Sequence, residues 1–308
     1  MTDALKLTTY LGERDHALAD ALIGLYARHG IRIGALFRGV EGFGHKHHLH
    51  TARLLTLSED LPLVSVAVDA PERIAPLAEQ VRMASRNGLV TVERARFGGP
   101  VTGEAKLTVY VGRRERRGEA VVAALHAAGL AGATVLLGVD GIAGGVRQRA
   151  RFLGRNADVP QMVIAVGDGE RIAAVLGDLD PLAITLERVT ICKRDGERLA
   201  VPPDGPWVKL MVYASEQARH GGAPLYAALV RRLRASGASG ATVLRGTWGF
   251  HGDHAPHGDR FWSLARHVPV VVTTIERRER VAGLFAIVDE LTAQTGLVTA
   301  EVIPDVRL

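Results

Sequence analysis

Apolar and polar positions alternate from Leu5 to Leu11, which predicts a strand with two unlike faces. The period then lengthens. Leu18, Leu22 and Leu25 share one face of a helix predicted over 16–29, with Asp15 as its N-cap and Gly30 as its stop. Residues 33 to 38 predict a second strand, and Leu63 to Asp69 a third, rich in β-branched side chains. Ile74, Leu77 and Val81 stripe a second helix from Glu72 to about Ser85, and Leu89 to Ala95 closes the unit as a strand. Strand, helix, strand, loop, strand, helix, strand is the split βαβ, ferredoxin-like order.

The same pattern returns twice. Lys6-Leu-Thr-Thr-Tyr10 is matched by Lys106-Leu-Thr-Val-Tyr110 and Lys209-Leu-Met-Val-Tyr213. A pair of glycines nine apart follows in each copy: Gly30 and Gly39, Gly129 and Gly138, Gly237 and Gly246. Three residues on stands another glycine, at Gly42, Gly141 and Gly249. Proline recurs at Pro62, Pro160 and Pro269, nine residues after Arg53, Arg151 and Arg260 and ten before Glu72-Arg73, Glu170-Arg171 and Glu279-Arg280. Such fixed spacings define three tandem copies. Their bounds are 1–98, 104–193 and 206–308, with copy 2 degenerate and the joints rich in Gly, Pro and charge.

Both faces of these strands carry apolar residues, so a sheet covered by helices on one side needs cover on the other. Three sheets facing inward about a pseudo-three-fold axis meet that need within one chain. The expected fold is therefore α+β: three tandem ferredoxin-like (βαββαβ) units arranged as a pseudo-trimer. Composition agrees, with 47% hydrophobic and 23% charged residues. The single cysteine, Cys192, excludes an internal disulfide, and with no charged-then-apolar leader the expected location is cytoplasmic. A formal charge of +5 suits acidic partners without choosing among them.

Gly237-Ala-Ser-Gly-Ala-Thr-Val-Leu-Arg-Gly246 with Gly249-Phe250, the His-x-x-Arg that follows, Ser58-Glu-Asp-Leu-Pro62, and the Glu-Arg-Ile opening the second helix together resemble the PII-like proteins grouped as DUF190. The resemblance runs through the whole chain three times. It implies PII-like trimeric assembly and a signalling or regulatory role, with a small-molecule effector bound in clefts between units. Catalysis is not expected, because the sequence has no nucleophile elbow, no Cys–His pair and no paired acid/base carboxylates in a recognisable frame. It also implies a link to a membrane transporter or channel. The chain departs from true PII proteins in lacking a Gly-Asp-Gly-Lys phosphate cradle before the fourth strand, where copy 1 has Ser85-Arg-Asn-Gly88 and copy 2 Leu179-Asp-Pro-Leu182. The loop after the second strand is also shorter.

Function is expected in the loops 39–61, 138–159 and 246–268, whose ends rigid strands fix. Arg38 and Arg245 leave the second strand where a guanidinium could clamp a phosphate, or else form a salt bridge between units. Gly42, Gly44 and Gly249 could bring backbone N–H groups to an anion, or simply form tight turns. Arg53, Arg151 and Arg260 complete the anion set. The first expectation is an adenine nucleotide on these residues. The alternative is a divalent metal on His45, His47, His48 and His50 with His251, His254 and His257, since imidazoles suit zinc, copper or nickel. A third reading is a partner-docking protein. Lys6, Lys106 and Lys209 read as solvated strand flanks. Nucleic acid is not expected: aromatics are 5%, and Tyr10, Tyr110 and Tyr213 lack the accompanying motif of RNA-binding sheets.

Overall fold

A computed structural model describes residues 2–12, 15–44, 50–51, 61–86, 88–112, 117–143, 145–150, 159–251, 256–258 and 268–307. Repeat 1 runs β1 (Thr2–Leu11), α1 (His16–Arg28), β2 (Ile33–Arg38), β3 (Glu41–Phe43), β4 (His50–Thr51), β5 (Leu63–Asp69), α2 (Pro71–Ala84) and β6 (Leu89–Phe97). Repeat 2 has β7 (Glu104–Gly112), α3 (Arg117–Ala127), β8 (Gly132–Leu137), β9 (Asp140–Ala143), β10 (Val146–Arg149), β11 (Pro160–Asp168), α4 (Gly169–Val175) and β12 (Ala183–Arg188). A hairpin of β13 (Thr190–Arg194) and β14 (Glu197–Arg198) leads into repeat 3. That repeat contains β15 (Trp207–Ser215), the small pair β16 (Arg219–His220) and β17 (Ala223–Pro224), and α5 (Leu225–Ala235). It continues with β18 (Ala241–Arg245), β19 (Trp248–His251), β20 (His257–Gly258), β21 (Pro269–Arg277), α6 (Arg278–Leu291), β22 (Leu297–Ile303) and β23 (Asp305–Arg307).

Each repeat holds the same antiparallel sheet, ordered β2-β5-β1-β6, β8-β11-β7-β12 and β18-β21-β15-β22, with two helices on one face. This is the ferredoxin-like order the sequence predicts. The helices bury their apolar stripes in three outer cores, for instance Leu22, Tyr26, Ile74 and Leu77 in repeat 1. The opposite sheet faces meet in a fourth core drawn from all three repeats, including Phe37, Tyr110, Ile164, Tyr213 and Val271. Asp15 stands at the start of α1 but makes no side-chain cap bond. Among the described residues no helix is long and apolar enough to cross a membrane.

The repeats are joined by cyclic exchange. The short strand after each second strand, read from sequence as loop, leaves its own repeat and pairs with a neighbour's second strand: β3 with β18, β9 with β2, β19 with β8. Each exchanged strand also delivers an apolar side chain to the neighbour's outer core. Phe43 enters the core of repeat 3, Ile142 that of repeat 1, and Phe250 that of repeat 2. The repeat ends circulate the other way. Arg96 pairs with Leu186 of β12, β13 pairs with β22, and β23 returns to pair with β6, closing the ring.

Lys6, Lys106 and Lys209 are not solvated flanks. They are buried, at 7%, 2% and 3% exposure, among Glu93, Glu187 and Glu301 of the last strand of each repeat. Each ammonium touches the glutamate of its own repeat and of one neighbour. Lys6 lies 2.9 Å from Glu93 and also contacts Glu187; Lys106 lies 2.5 Å from Glu187 and also contacts Glu301. Lys209 lies 2.5 Å from Glu93 and 3.3 Å from Glu301. The result is a closed, neutral ring of alternating charges. The three carboxylates come within 4.8 Å of one another, but the ammoniums already occupy the positions a cation would take.

Candidate functional site

Each exchanged strand lies against a neighbour's second strand, and where β19 meets β8 a cleft opens on the inner side of the joint. Between repeats 2 and 3 this cleft has a volume of about 540 Å³. Gly132 and Thr134 of β8 and Gly249 and His251 of β19, neighbours in one sheet, line it together with Tyr213, Ser215 and Leu297 of repeat 3. The walls are mainly apolar. Polar groups are few and placed at intervals: Thr134, Ser215, Thr295, His251, His257 and Tyr213, whose hydroxyl donates to the Met211 sulfur at 3.5 Å. At the mouth, His251 Nε2 lies 2.5 Å from Asp195 Oδ1. Asp195 sits at the tip of the β13–β14 hairpin with φ 48°, a left-handed conformation uncommon outside glycine, and its N–H donates to the Gly296 carbonyl at 2.9 Å.

Three expected site residues, Gly249, His251 and His257, therefore line this cleft. Gly42 is buried in β3 and pairs with His50 of β4, as Gly249 pairs with His257 of β20. Gly44 and Arg38 are exposed at the joints of repeat 1. Arg245 donates to Glu216 at 2.8 Å, an ion pair inside repeat 3 and not between units. Arg53, Arg151, Arg260, His45, His47, His48 and His254 lie outside the described residues. Thr134, Asp195, Tyr213, Ser215 and Thr295 were not legible as site residues, because cleft walls from two repeats meet only through the exchange.

Repeat 2 uses its loop differently. Asp140 is buried at the start of β9 and accepts from Arg147 Nε at 3.1 Å, Arg147 Nη2 at 2.5 Å and Arg149 Nε at 3.0 Å. Arg147 also reaches Asp20 of α1 in repeat 1 at 2.6 Å, and Arg149 pairs with the same carboxylate. The β9–β10 hairpin is thereby latched across the joint.

The DUF190 family, described as "Uncharacterized ACR, COG1993", matches residues 4–97, 104–191 and 207–304. The chain belongs to the DUF190 family. Solved structures similar to this DUF190 chain include CPII of Thiomonas intermedia K12 bound to ADP and bicarbonate, at 22% identity over 30% of this chain and 85% of CPII, with a TM-score of 0.24. CPII, a nitrogen regulatory PII-like protein, bound to ADP, AMP and bicarbonate gives 21%, 30%, 85% and 0.25. The small subunit of acetolactate synthase from Thermotoga maritima is 10% identical over 61% of this chain and 94% of its own, with a TM-score of 0.24. At such scores these likenesses carry no argument about the DUF190 site, which rests on the geometry above.

Proposed function

We propose that this DUF190 chain is a PII-like regulatory protein, without catalytic activity, that binds a small anionic effector in clefts between its repeats. The observation that carries this reading is the cleft between repeats 2 and 3. Its volume of about 540 Å³ suits a ligand of nucleotide size, and apolar walls with a few convergent polar groups are the usual make-up of such sites. Its walls come from two repeats, so a ligand there bridges the joint and stabilises one relative placement of the repeats, which is what a regulatory readout requires. An adenine nucleotide is the leading candidate. The planar base would lie between apolar walls while His251, His257 and the hydroxyls of Thr134, Ser215 and Thr295 meet polar groups. In this reading the chain acts in the cytoplasm as a self-contained pseudo-trimer, with Arg38, Arg53, Arg151 and Arg260 as anion contacts from the loops and a transporter or channel as its partner.

Titration calorimetry with ADP, AMP and bicarbonate, singly and together, tests the reading. The expected result is binding that weakens at least about tenfold in His251→Ala, a loss of one or two polar contacts. No binding at millimolar ligand would sink it.

A further inference from the structure

One position differs in kind among the three joints. At the joint of repeats 2 and 3, Gly132 pairs with His251. At the joint of repeats 3 and 1, Gly240 lies against Phe43 and Gly44, and a Cβ built on Gly44 would meet nothing within 4 Å. At the joint of repeats 1 and 2 the same position is Ile33, paired with Ala143. Its side chain is 1% exposed and packed into the central core with Val66, Val68 and Tyr110. The tyrosine at each joint reports the difference. Tyr110 is fully buried, Tyr213 is 8% exposed, and Tyr10 is partly exposed. The closed joint is also the one latched from outside by Asp140, Arg147, Arg149 and Asp20.

We infer that the joint of repeats 1 and 2 is no longer a ligand site: Ile33 fills its cleft and the Asp140 hairpin fixes it, so effector binding is confined to the joints built on Gly132 and Gly240, at most two ligands per chain. The limit on ligands rests on the proposed function; the closure of one joint does not. Fusion explains how this can arise. In a trimer of separate chains, a substitution that fills one cleft fills all three, whereas in a fused chain one joint can become structural while the others keep their room.

Thiol labelling separates the two parts. The natural thiol, Cys192, is buried, and burial pushes it up to about 12, so it contributes little background. Gly132→Cys and Ile33→Cys are compared in the full chain with iodoacetamide. The expected rate for Gly132→Cys is at least about tenfold the rate for Ile33→Cys, since only the former opens to solvent without local unfolding. Ser215→Cys, in the cleft, and Ala35→Cys, each adding at most one heavy atom, should repeat the order and guard against a fold damaged by Ile33→Cys. Equal rates in both pairs would overturn the closure. ADP should then slow labelling of the Gly132→Cys chain and leave the Ile33→Cys chain unchanged. A rate difference that persists with no protection by ADP refutes nucleotide binding and leaves the closure standing. Three equivalents of ADP bound to the unmodified chain would overturn the limit of two.

Discussion

Gly42, Gly141 and Gly249 recur because a backbone passes where their side chains would be. A Cβ on Gly249 would stand 2.2 Å from the Ala133 carbonyl oxygen; on Gly141, 2.5 Å from that of Gly34; on Gly42, 2.6 Å from that of Ala241. In each case the obstructing oxygen belongs to the neighbouring repeat, so the glycine is the point at which the exchanged strand closes. The recurrent proline belongs to the same joint. Pro62, Pro160 and Pro269 accept from the N–H of Gly39, Gly138 and Gly246 at 2.7, 3.2 and 2.7 Å, and their rings pack on the following glycine. Gly249→Ala should therefore cost about 1–3 kcal/mol, as forced overpacking does. Gly44→Ala, with open space around its Cβ, should change stability by less than about 0.5 kcal/mol. Thermal unfolding of the two variants checks the pair, and equal midpoints would refute the close-approach account.

At the scale of elements, the four main strands and two helices of repeat 1 were legible from periodicity alone, because each buries one apolar face against the other. The Glu-Arg pairs were legible as a motif but not as a contact. Arg73, Arg171 and Arg280 donate to carbonyls at the end of the first helix of their own repeat, at Gly30, Gly129 and Ser236, at 2.9, 2.9 and 3.0 Å. The exchanged strands were not legible. Three or four residues with a glycine at the centre satisfy no strand pattern, and their partners lie in another repeat. The closing strand β23 shares this character. It covers Val90, Thr91 and Val92 of β6, and Arg82 of α2 binds Asp305 beside it. Deleting residues 304–308 should expose that edge. Amide exchange in β6 should rise by at least about tenfold while α5 and α6 keep their protection. Unchanged β6 protection would show that β23 does not close the ring.

The whole molecule is organised around its charged axis, and here the polar face of each first strand misleads. Lys6, Thr8 and Tyr10 alternate with apolar residues as a solvent-facing set would, yet they face inward, and nothing within one strand shows that the partners of Lys6 are Glu93 and Glu187. A buried ring of this kind is weak evidence for stability but fixes register, since any slip leaves a charge unpaired at a cost of about 3–5 kcal/mol. Burial is the largest single influence on Lys6, Lys106, Lys209, Glu93 and Glu187, and it opposes ionisation. At Glu93 and Glu187 the surrounding lysines outweigh it, and both carboxyls are held below the ordinary value. At Lys6 and Lys209 the glutamates likewise prevail and the ammoniums are raised, whereas at Lys106 burial prevails and lowers it.

A pH dependence with a definite sign follows from the depressed carboxyls. Unfolded glutamates titrate near about 4.3, so as pH falls toward that value the unfolded chain takes up protons that folded Glu93 and Glu187 do not. Their contribution is fully present above about pH 5 and is lost progressively as pH falls through the unfolded value toward the lower folded ones. Raised Lys6 and Lys209 act in the opposite window: their contribution is complete below about pH 10 and is lost only as pH rises through the folded values. Denaturant unfolding from pH 7 to pH 3 should show stability falling with acid. Replacing the ring by neutral residues, with Lys→Met and Glu→Gln at all six positions, should flatten that slope. Lys106→Met alone should lower stability at pH 7 by about 3–5 kcal/mol, because it leaves the Glu187 and Glu301 carboxylates short of an ammonium in the interior. The same acid slope in the native chain and in the neutral ring would show that these carboxylates do not govern acid stability. A single Lys106→Met with unchanged stability would remove the ring as the device that holds the three repeats in register.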